Sequence, residues 1–325
     1  MNAADLHPFE KLTPELIMDA IESHDFHCDG RVFALNSYEN RVYQIGIEGE
    51  KKSIIAKFYR PNRWSQAQIQ EEHDFCYELF DHEIPVITPL KDSQGKSLFS
   101  HNNFSFALFP QVGGRAPELD YKENLQIMGR MLARLHLIGE KSLFKHRPKL
   151  DILTFGKDSI DFVSEQFIPF EHKSNYTKAC KQLMYLMQPK LENCHNIRVH
   201  GDLHIGNILM RDDIPFLVDF DDSRLAPAIQ DIWMLLSGEP NEQKIQLEKV
   251  KSAYQEFRDF PHHEITMIES LRTLRMLHHC AWLAKRFDDP AFESAFPWFD
   301  QSSYWLQHIQ DLNNQVDALQ IENEL

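Results

Sequence analysis

Between residues 199 and 222 the chain reads VHGDLHIGNILMRDDIPFLVDFDD, a stretch dense in carboxylates, amides and imidazoles. Two apolar runs, 207–210 and 215–218, flank the polar turn Arg211-Asp212-Asp213, and this alternation predicts a hairpin. Asp202 and Asn207 stand before the first run and Asp219 follows the second, so antiparallel pairing brings all three to one edge. Oxygen donors gathered in this way suit a hard divalent cation. Magnesium keeps much of its water and needs only one carboxylate and one amide besides substrate phosphates, which leaves Asp202 over as a proton acceptor. His200 and His204 are placed to pin the loop. A lone D-x-x-x-x-N is more often a strand-capping turn. Here H-G-D-x-H-x-x-N is followed at hairpin distance by D-F-D, and each part has a role in phosphoryl transfer.

Such a loop needs elements that bring a nucleotide to it. Residues 32–35, 41–47 and 53–58 read as a three-stranded meander, after a helix that begins with a Thr13 cap and Pro14. The turn 36–40 between the first two strands lies where a nucleotide-binding lobe carries its phosphate cover. It has no glycine, so backbone N–H groups and the Ser37 hydroxyl are the expected cradle. Lys57 stands alone in an apolar strand, where a charge requires a partner. The next helix opens with a Ser65/Gln68 capping box and buries Ile69, Phe75, Cys76 and Leu79. Glu72 shares that stripe and Glu71 points away, so Glu72 is the partner of Lys57.

Residues 84–99 read as a turn and two short strands, and 104–110 as a further strand. Gly95-Lys96-Ser97 lacks the earlier glycine and the following helix of a Walker loop. After Val112-Gly113-Gly114-Arg115 the pattern turns helical, which predicts one unit over 1–110 and another over 111–325. An adenine would sit under this connector against the backbone of Phe109 and its neighbours. Residues 121–198 read as helices, and the basic run Lys141, Lys145, His146, Arg147, Lys149 as a solvated loop. Residues 227–236 form an apolar helix in which Asp231 sits alone, a brace expected to take backbone N–H groups of the catalytic loop. The tail from Ser302 carries Leu306, Ile309, Leu312, Val316 and Leu319 as an amphipathic helix for its own lobe.

With 325 residues and 42% hydrophobic content, the chain has the composition of an ordinary globular protein with a sizeable core. A net charge of −15 argues against a general nucleic-acid or anionic-membrane surface. Five scattered cysteines without a C-x-x-C pair, no apolar run of membrane length and no signal-like start point to the cytoplasm.

The segments LNSYENRVYQ, KFYRPNRW, EEHDF, FPQVGGR, HGDLHIGNIL, VDFDDSRLAPAIQDIWMLL and FPWF together resemble the protein-kinase-like aminoglycoside and choline phosphotransferase family, and within it a bacterial group of stress-response kinases. The resemblance implies a bilobal α+β protein-kinase-like fold. Its small N-terminal lobe has an antiparallel sheet plus a helix, and its C-terminal lobe is larger and mostly helical. It also implies ATP and Mg as cofactors, a serine or threonine of a protein (this chain included) as acceptor, and a cytoplasmic monomer without nucleic-acid or membrane partners. Carried over by residue, Asp202 is the proton acceptor, Asn207 and Asp219 are the metal ligands, Ser37 belongs to the ATP loop, and Lys57 with Glu72 orients the phosphates. His204 departs from loops that place a cation there. The alternatives are a small-molecule kinase for an amino alcohol, sugar or aminoglycoside, with Asp221, Asp222 and Glu239 as an acidic pocket, and a nucleotide-binding scaffold without catalysis.

Overall fold

The structure is a computed structural model that describes residues 8–324 apart from 36, 122, 193, 290 and 291. Helix α1 (Pro14–Glu22) starts where the sequence predicts, with the Thr13 hydroxyl accepting from Leu16 N–H at 3.3 Å. Strands β1 (Cys28–Leu35), β2 (Arg41–Ile47) and β3 (Ile54–Phe58) follow, and β1 begins four residues earlier than the apolar pattern suggests. The capping box of Ser65 and Gln68 opens α2 (Gln66–Asp81). Strands β4 (Phe99–His101) and β5 (Phe104–Pro110) complete an antiparallel sheet of order β1-β2-β3-β5-β4. α1 packs on one face through Ile17 and Ile21, among Ile45 and the stacked rings of Phe58 and Phe106.

The helical remainder begins with α3 (Asn124–Gly139) and continues through α4 (Asp158–Gln166) and α5 (Lys173–Leu191). It then carries β6 (Ile197–Val199), the hairpin β7 (Ile208–Arg211) and β8 (Ile214–Leu217), β9 (Arg224–Ala226) and α6 (Ile229–Trp233). It closes with α7 (Pro240–Tyr254), α8 (Ile268–Ala284), α9 (Phe292–Ala295) and α10 (Ser302–Glu324). This is the expected α+β protein-kinase-like architecture, an N-terminal antiparallel sheet with a helix and a mostly helical C-terminal part.

Several elements depart from the sequence reading. Of the two short strands expected in 84–99, only β4 forms at its end. The segment at Val86 instead bridges to β8, with Leu217 N–H donating to Pro85 O at 2.8 Å and Ile87 N–H to Leu217 O at 3.0 Å. The helices expected throughout 121–198 give way at their end to β6, which pairs with β9 on the two sides of the 200–223 segment. The helix expected over 227–236 is only the five-residue α6. On α10, Leu306 faces solvent and Trp305 takes its place beside Ile309, Leu312, Val316 and Leu319 in the core.

Helix α2 has two allegiances. Ile69 meets Tyr59 and Ala107 of the sheet side, whereas Phe75, Cys76 and Leu79 belong to the core of the helical part. Buried Arg198 of β6 fastens this joint. It donates to Glu78 Oε2 of α2 at 2.7 Å and to Ile138 O at the end of α3 at 2.8 Å, a favourable place for a cation beside unpaired helix carbonyls. The backbones approach so closely here that a Cβ on Gly139 would lie 2.1 Å from the Arg198 carbonyl oxygen. Gly139→Ala is therefore expected to lower unfolding stability by roughly 1–3 kcal/mol by forcing α3 off β6. A fall in the urea midpoint at unchanged slope would show it.

Candidate active site

Lys57 lies in the middle of the sheet, opposite Val42 of β2 and Ala107 of β5, and only 6% of it is exposed. Its ammonium is 2.8 Å from Asp219 Oδ1, 3.5 Å from Asp221 Oδ1 and 3.6 Å from Glu72 Oε1. Burial works against the charge, but Asp219, Asp221 and Glu72 outweigh it and hold Lys57 well above the ordinary lysine range. The expected partner Glu72 is thus one of three. Burial pushes the Glu72 carboxyl up to about 7 against the pull of Lys57 and Arg147.

Arg147 overturns its expected place in a solvated loop. Its side chain is buried, and one guanidinium nitrogen reaches Glu72 Oε2 at 3.2 Å. Nη1 donates to the carbonyl oxygens of Asp221 at 3.0 Å and Ser223 at 2.8 Å, and Nε donates to Gln68 O at 3.0 Å. Glu71, which points away from Lys57, accepts the backbone N–H groups of Lys145, His146 and Arg147. A basic run that looks solvated in sequence is thereby clasped to α2.

The hairpin β7/β8 forms with a two-residue turn, Asp212 and Asp213, at φ 52° and 61°. Paired left-handed residues match the twist of adjoining strands, and Asp tolerates that region better than most side chains. The Asn207 amide donates to the backbone oxygen of Asp202 at 2.9 Å, and Val218 N–H donates to the Asn207 carbonyl at 3.1 Å, tying the loop to the end of β8. Asp219 follows in the left-handed region with its side chain 52% exposed. Asp231 takes His200 N–H at 2.9 Å and Gly201 N–H at 2.8 Å, the brace expected from its isolation in an apolar helix. Gly201 sits at φ 85°, and a Cβ there would meet the Asp222 carbonyl oxygen at 2.3 Å, so the H-G-D sequence needs glycine on both counts. His200 reaches Val218 O at 2.9 Å from the other side.

Two cavities meet at this point. One, of about 310 Å³, contains Lys57, Glu72 and Phe109 among its lining. The other, of about 500 Å³, contains Asp202, Arg275 and Trp282. Ser37 and Asp219 line both. Asn36 lies outside the described residues, but the rest of the expected phosphate-covering turn is docked on the helical part. Glu39 receives Trp282 Nε1 at 2.7 Å and pairs with Arg286, and Tyr38 packs edge-on against Phe296 at 5.0 Å.

Asp221 and Asp222 do not form an acidic pocket. Arg63 pairs with both, Asn40 donates to Asp221 at 3.2 Å, and Arg224 takes Asp222 at 2.7 Å. Against the effect of burial, Arg63 and Arg224 hold the Asp222 carboxyl far below the usual range. Glu239 is an exposed residue that shares a capping box with Glu242 at the start of α7. The sequence reading gave Arg147, Arg63, Arg224 and Arg275 no site role. Arg63 falls inside the segment KFYRPNRW, which was the available signal for it.

Among the described residues no cluster of three or more His, Cys, Asp or Glu side chains is set to hold a metal by itself. The chemistry of the donors still suits magnesium. Asn207 spends its N–H on Asp202 and has no donor on its amide oxygen among the described hydrogen bonds, and Asp219 offers a half-exposed carboxylate next to Val218, whose N–H is bonded to the Asn207 carbonyl.

Residues 31–265 match the model of the phosphotransferase enzyme family. The chain is 42% identical over 314 residues to Stress response kinase A of Escherichia coli strain K12, covering 96% of this chain and 95% of that protein. It is 42% identical over 313 residues to Serine/threonine protein kinase RdoA of Salmonella typhimurium strain LT2, covering 96% and 94%. Among solved structures, amicoumacin kinase hAmiN in complex with AMP-PNP, Ca2+ and Ami shares the fold, with a TM-score of 0.74 at 20% identity and 93% of each chain covered. The chain belongs to the phosphotransferase enzyme family.

Proposed function

We propose that this phosphotransferase is an ATP-dependent serine/threonine protein kinase of the stress response, active as a cytoplasmic monomer. Residues 1–110 form its nucleotide-side unit and 111–325 the catalytic and acceptor side. The observation that carries the reading is the 2.8 Å pair of Lys57 and Asp219 at the junction of two cavities, one reaching under β5 and the other opening onto Asp202. The names of the two bacterial relatives, matched over nearly their whole length, support a protein acceptor and a stress role. No helix among the described residues is long and apolar enough to cross a membrane.

In this reading Asn207 and Asp219 hold magnesium, which would neutralise phosphate oxygens when bound. Lys57, steadied by Glu72, directs its ammonium at the nucleotide phosphates, and Ser37 and Phe109 line the nucleotide path. Asp202 orients the acceptor hydroxyl and takes its proton. Its backbone oxygen is fixed by the Asn207 amide, so the carboxylate stays in register with the metal ligands.

A small-molecule acceptor is the second reading, favoured by the volume of the acceptor-side cavity, about 500 Å³, which falls within the range of small-molecule sites. The arginines on Asp221 and Asp222 leave those carboxylates unavailable to a polycationic acceptor such as an aminoglycoside. Radiolabelled ATP offered with protein acceptors, and separately with metabolite pools, tells the two apart. Steady ATP binding with no transfer to any acceptor would mark a scaffold.

Asp202→Asn is expected to abolish transfer while leaving the ATP dissociation constant within about threefold of the parent, because it removes the base and no nucleotide contact. Equilibrium nucleotide binding alongside a transfer assay checks both halves. Arg147→Met would strand Glu72 Oε2 and the Asp221 and Ser223 carbonyls in the interior. It should cost roughly 3–5 kcal/mol of stability, read by chemical denaturation.

A further inference from the structure

Helix α8 lines the acceptor-side cavity with Leu271, Arg275, His278, His279 and Trp282. The cations around this cavity are not equivalent. Arg63 is committed to Asp221, Asp222 and Glu39, and Arg224 to the Asp222 side chain and carbonyl. His278 stacks on Phe155 at 4.1 Å, and burial pushes its imidazole down to about 3, so it is neutral. Burial lowers His279 as well. Arg275 differs from all of these. Among the described hydrogen bonds it has one partner, Asp202 Oδ1, reached through Nη1, and its side chain is 41% exposed.

That single partner is the proposed base. While the guanidinium occupies Oδ1, this oxygen cannot take a proton from an acceptor hydroxyl. Arg275 must leave this oxygen if Oδ1 is to take the proton, and an anion arriving in the cavity competes with Asp202 for the half-exposed guanidinium. The other cation at the junction, Lys57, already faces three carboxylates. Two residues past Asp202 the loop carries His204, whose Nε2 lies 3.7 Å from Asp202 Oδ2 on a 44% exposed side chain, and no arginine or lysine. On the acceptor side, among the described residues, Arg275 is the most exposed guanidinium of this cavity and the one whose single partner is Asp202, so it is placed to meet the charge that spreads over a phosphoryl group in flight.

We propose that Arg275 is a catalytic residue, its guanidinium passing from Asp202 to the equatorial oxygens of the γ-phosphoryl group as that group is transferred. The proposal rests on the reading of Asp202 as the base and of ATP as the donor. In the step, the acceptor oxygen forms a bond to the γ-phosphorus. The bond from that phosphorus to the β–γ bridging oxygen breaks, its electron pair leaving on ADP. The acceptor proton passes to the Asp202 oxygen that Arg275 vacates. Each partner keeps its charge compensated, since the carboxylate gains a proton as it loses a guanidinium and the phosphoryl group gains the guanidinium as its charge spreads.

The test measures ADP formation and ATP affinity of the full chain with magnesium, for the parent and for Arg275→Gln, Arg275→Ala, Arg275→Lys and Asp202→Asn. Arg275→Gln and Arg275→Ala should lose roughly a hundredfold or more in kcat with ATP affinity unchanged. Arg275→Lys should keep part of the activity. Methylguanidinium added to Arg275→Ala should restore turnover, and added to Asp202→Asn it should not. A kcat for Arg275→Gln within about threefold of the parent overturns the proposal. So does a loss that neither lysine nor methylguanidinium relieves, which would make Arg275 a structural clasp of the loop. Retained turnover in Asp202→Asn would instead overturn the reading of the base, so the two failures are distinguishable.

Discussion

Glu72 is held at both of its oxygens by cations from opposite directions, Lys57 from the sheet and Arg147 from the helical part, and the arrangement of the site follows from that double hold. Each of these charges is buried. An ion taken out of water costs several kcal/mol unless it is fully answered, so no member of the group is stable without the others. Lys57 needs Asp219 and Asp221, Asp221 needs Arg63 and Asn40, and Arg147 needs the carbonyls that follow Phe220. The network links α2, β3 and the D-F-D segment into one electrostatic unit.

One consequence concerns α2. In a bilobal kinase-like fold, a helix whose only tie to the catalytic machinery is one ion pair can swing and break it. Here α2 also gives Phe75 and Leu79 to the helical core, takes Arg198 at Glu78, and holds the 145–147 backbone through Glu71. Glu72 is therefore fixed relative to Asp219 by apolar packing and by charge together, and the bridge of Val86 to β8 adds a backbone tie between the same two regions.

What was legible in the sequence shares one property: the signal is local or periodic. The hairpin shows as two apolar runs about a turn, Lys57 as a charge in a strand, Glu72 through helical phase, and Asp231 as a carboxylate in an apolar helix. What escaped is tertiary. Arg147 sits in a run of basic residues whose composition says solvent, and its partners are mainly backbone carbonyls more than 70 positions away, which carry no sequence signature. Strands β6 and β9 have three residues each and are nearly all buried, so neither alternation nor length marks them. Arg275 lies 73 positions from Asp202 on a helix whose pattern reports only its core face.

The glycine-free turn between β1 and β2 obeys the same logic. A glycine-rich loop covers phosphates by backbone adaptability and has no side chains with which to grip anything else. The described part of this turn, residues 37–40, is anchored by its side chains. Tyr38 packs against Trp282 and Phe296, and Glu39 gathers Arg60, Arg63, Arg286 and Trp282 Nε1. Asn40 receives the backbone N–H of Arg60 at 3.0 Å while donating to Asp221. Replacing these residues with glycine would give the turn freedom and remove every one of those grips. The turn thus serves as a common wall of the two cavities, with Ser37 lining both. It joins the cavity lined by Lys57 to α8, the helix that carries Arg275, so the shape of the cavity at Asp202 depends on a loop contributed by the sheet.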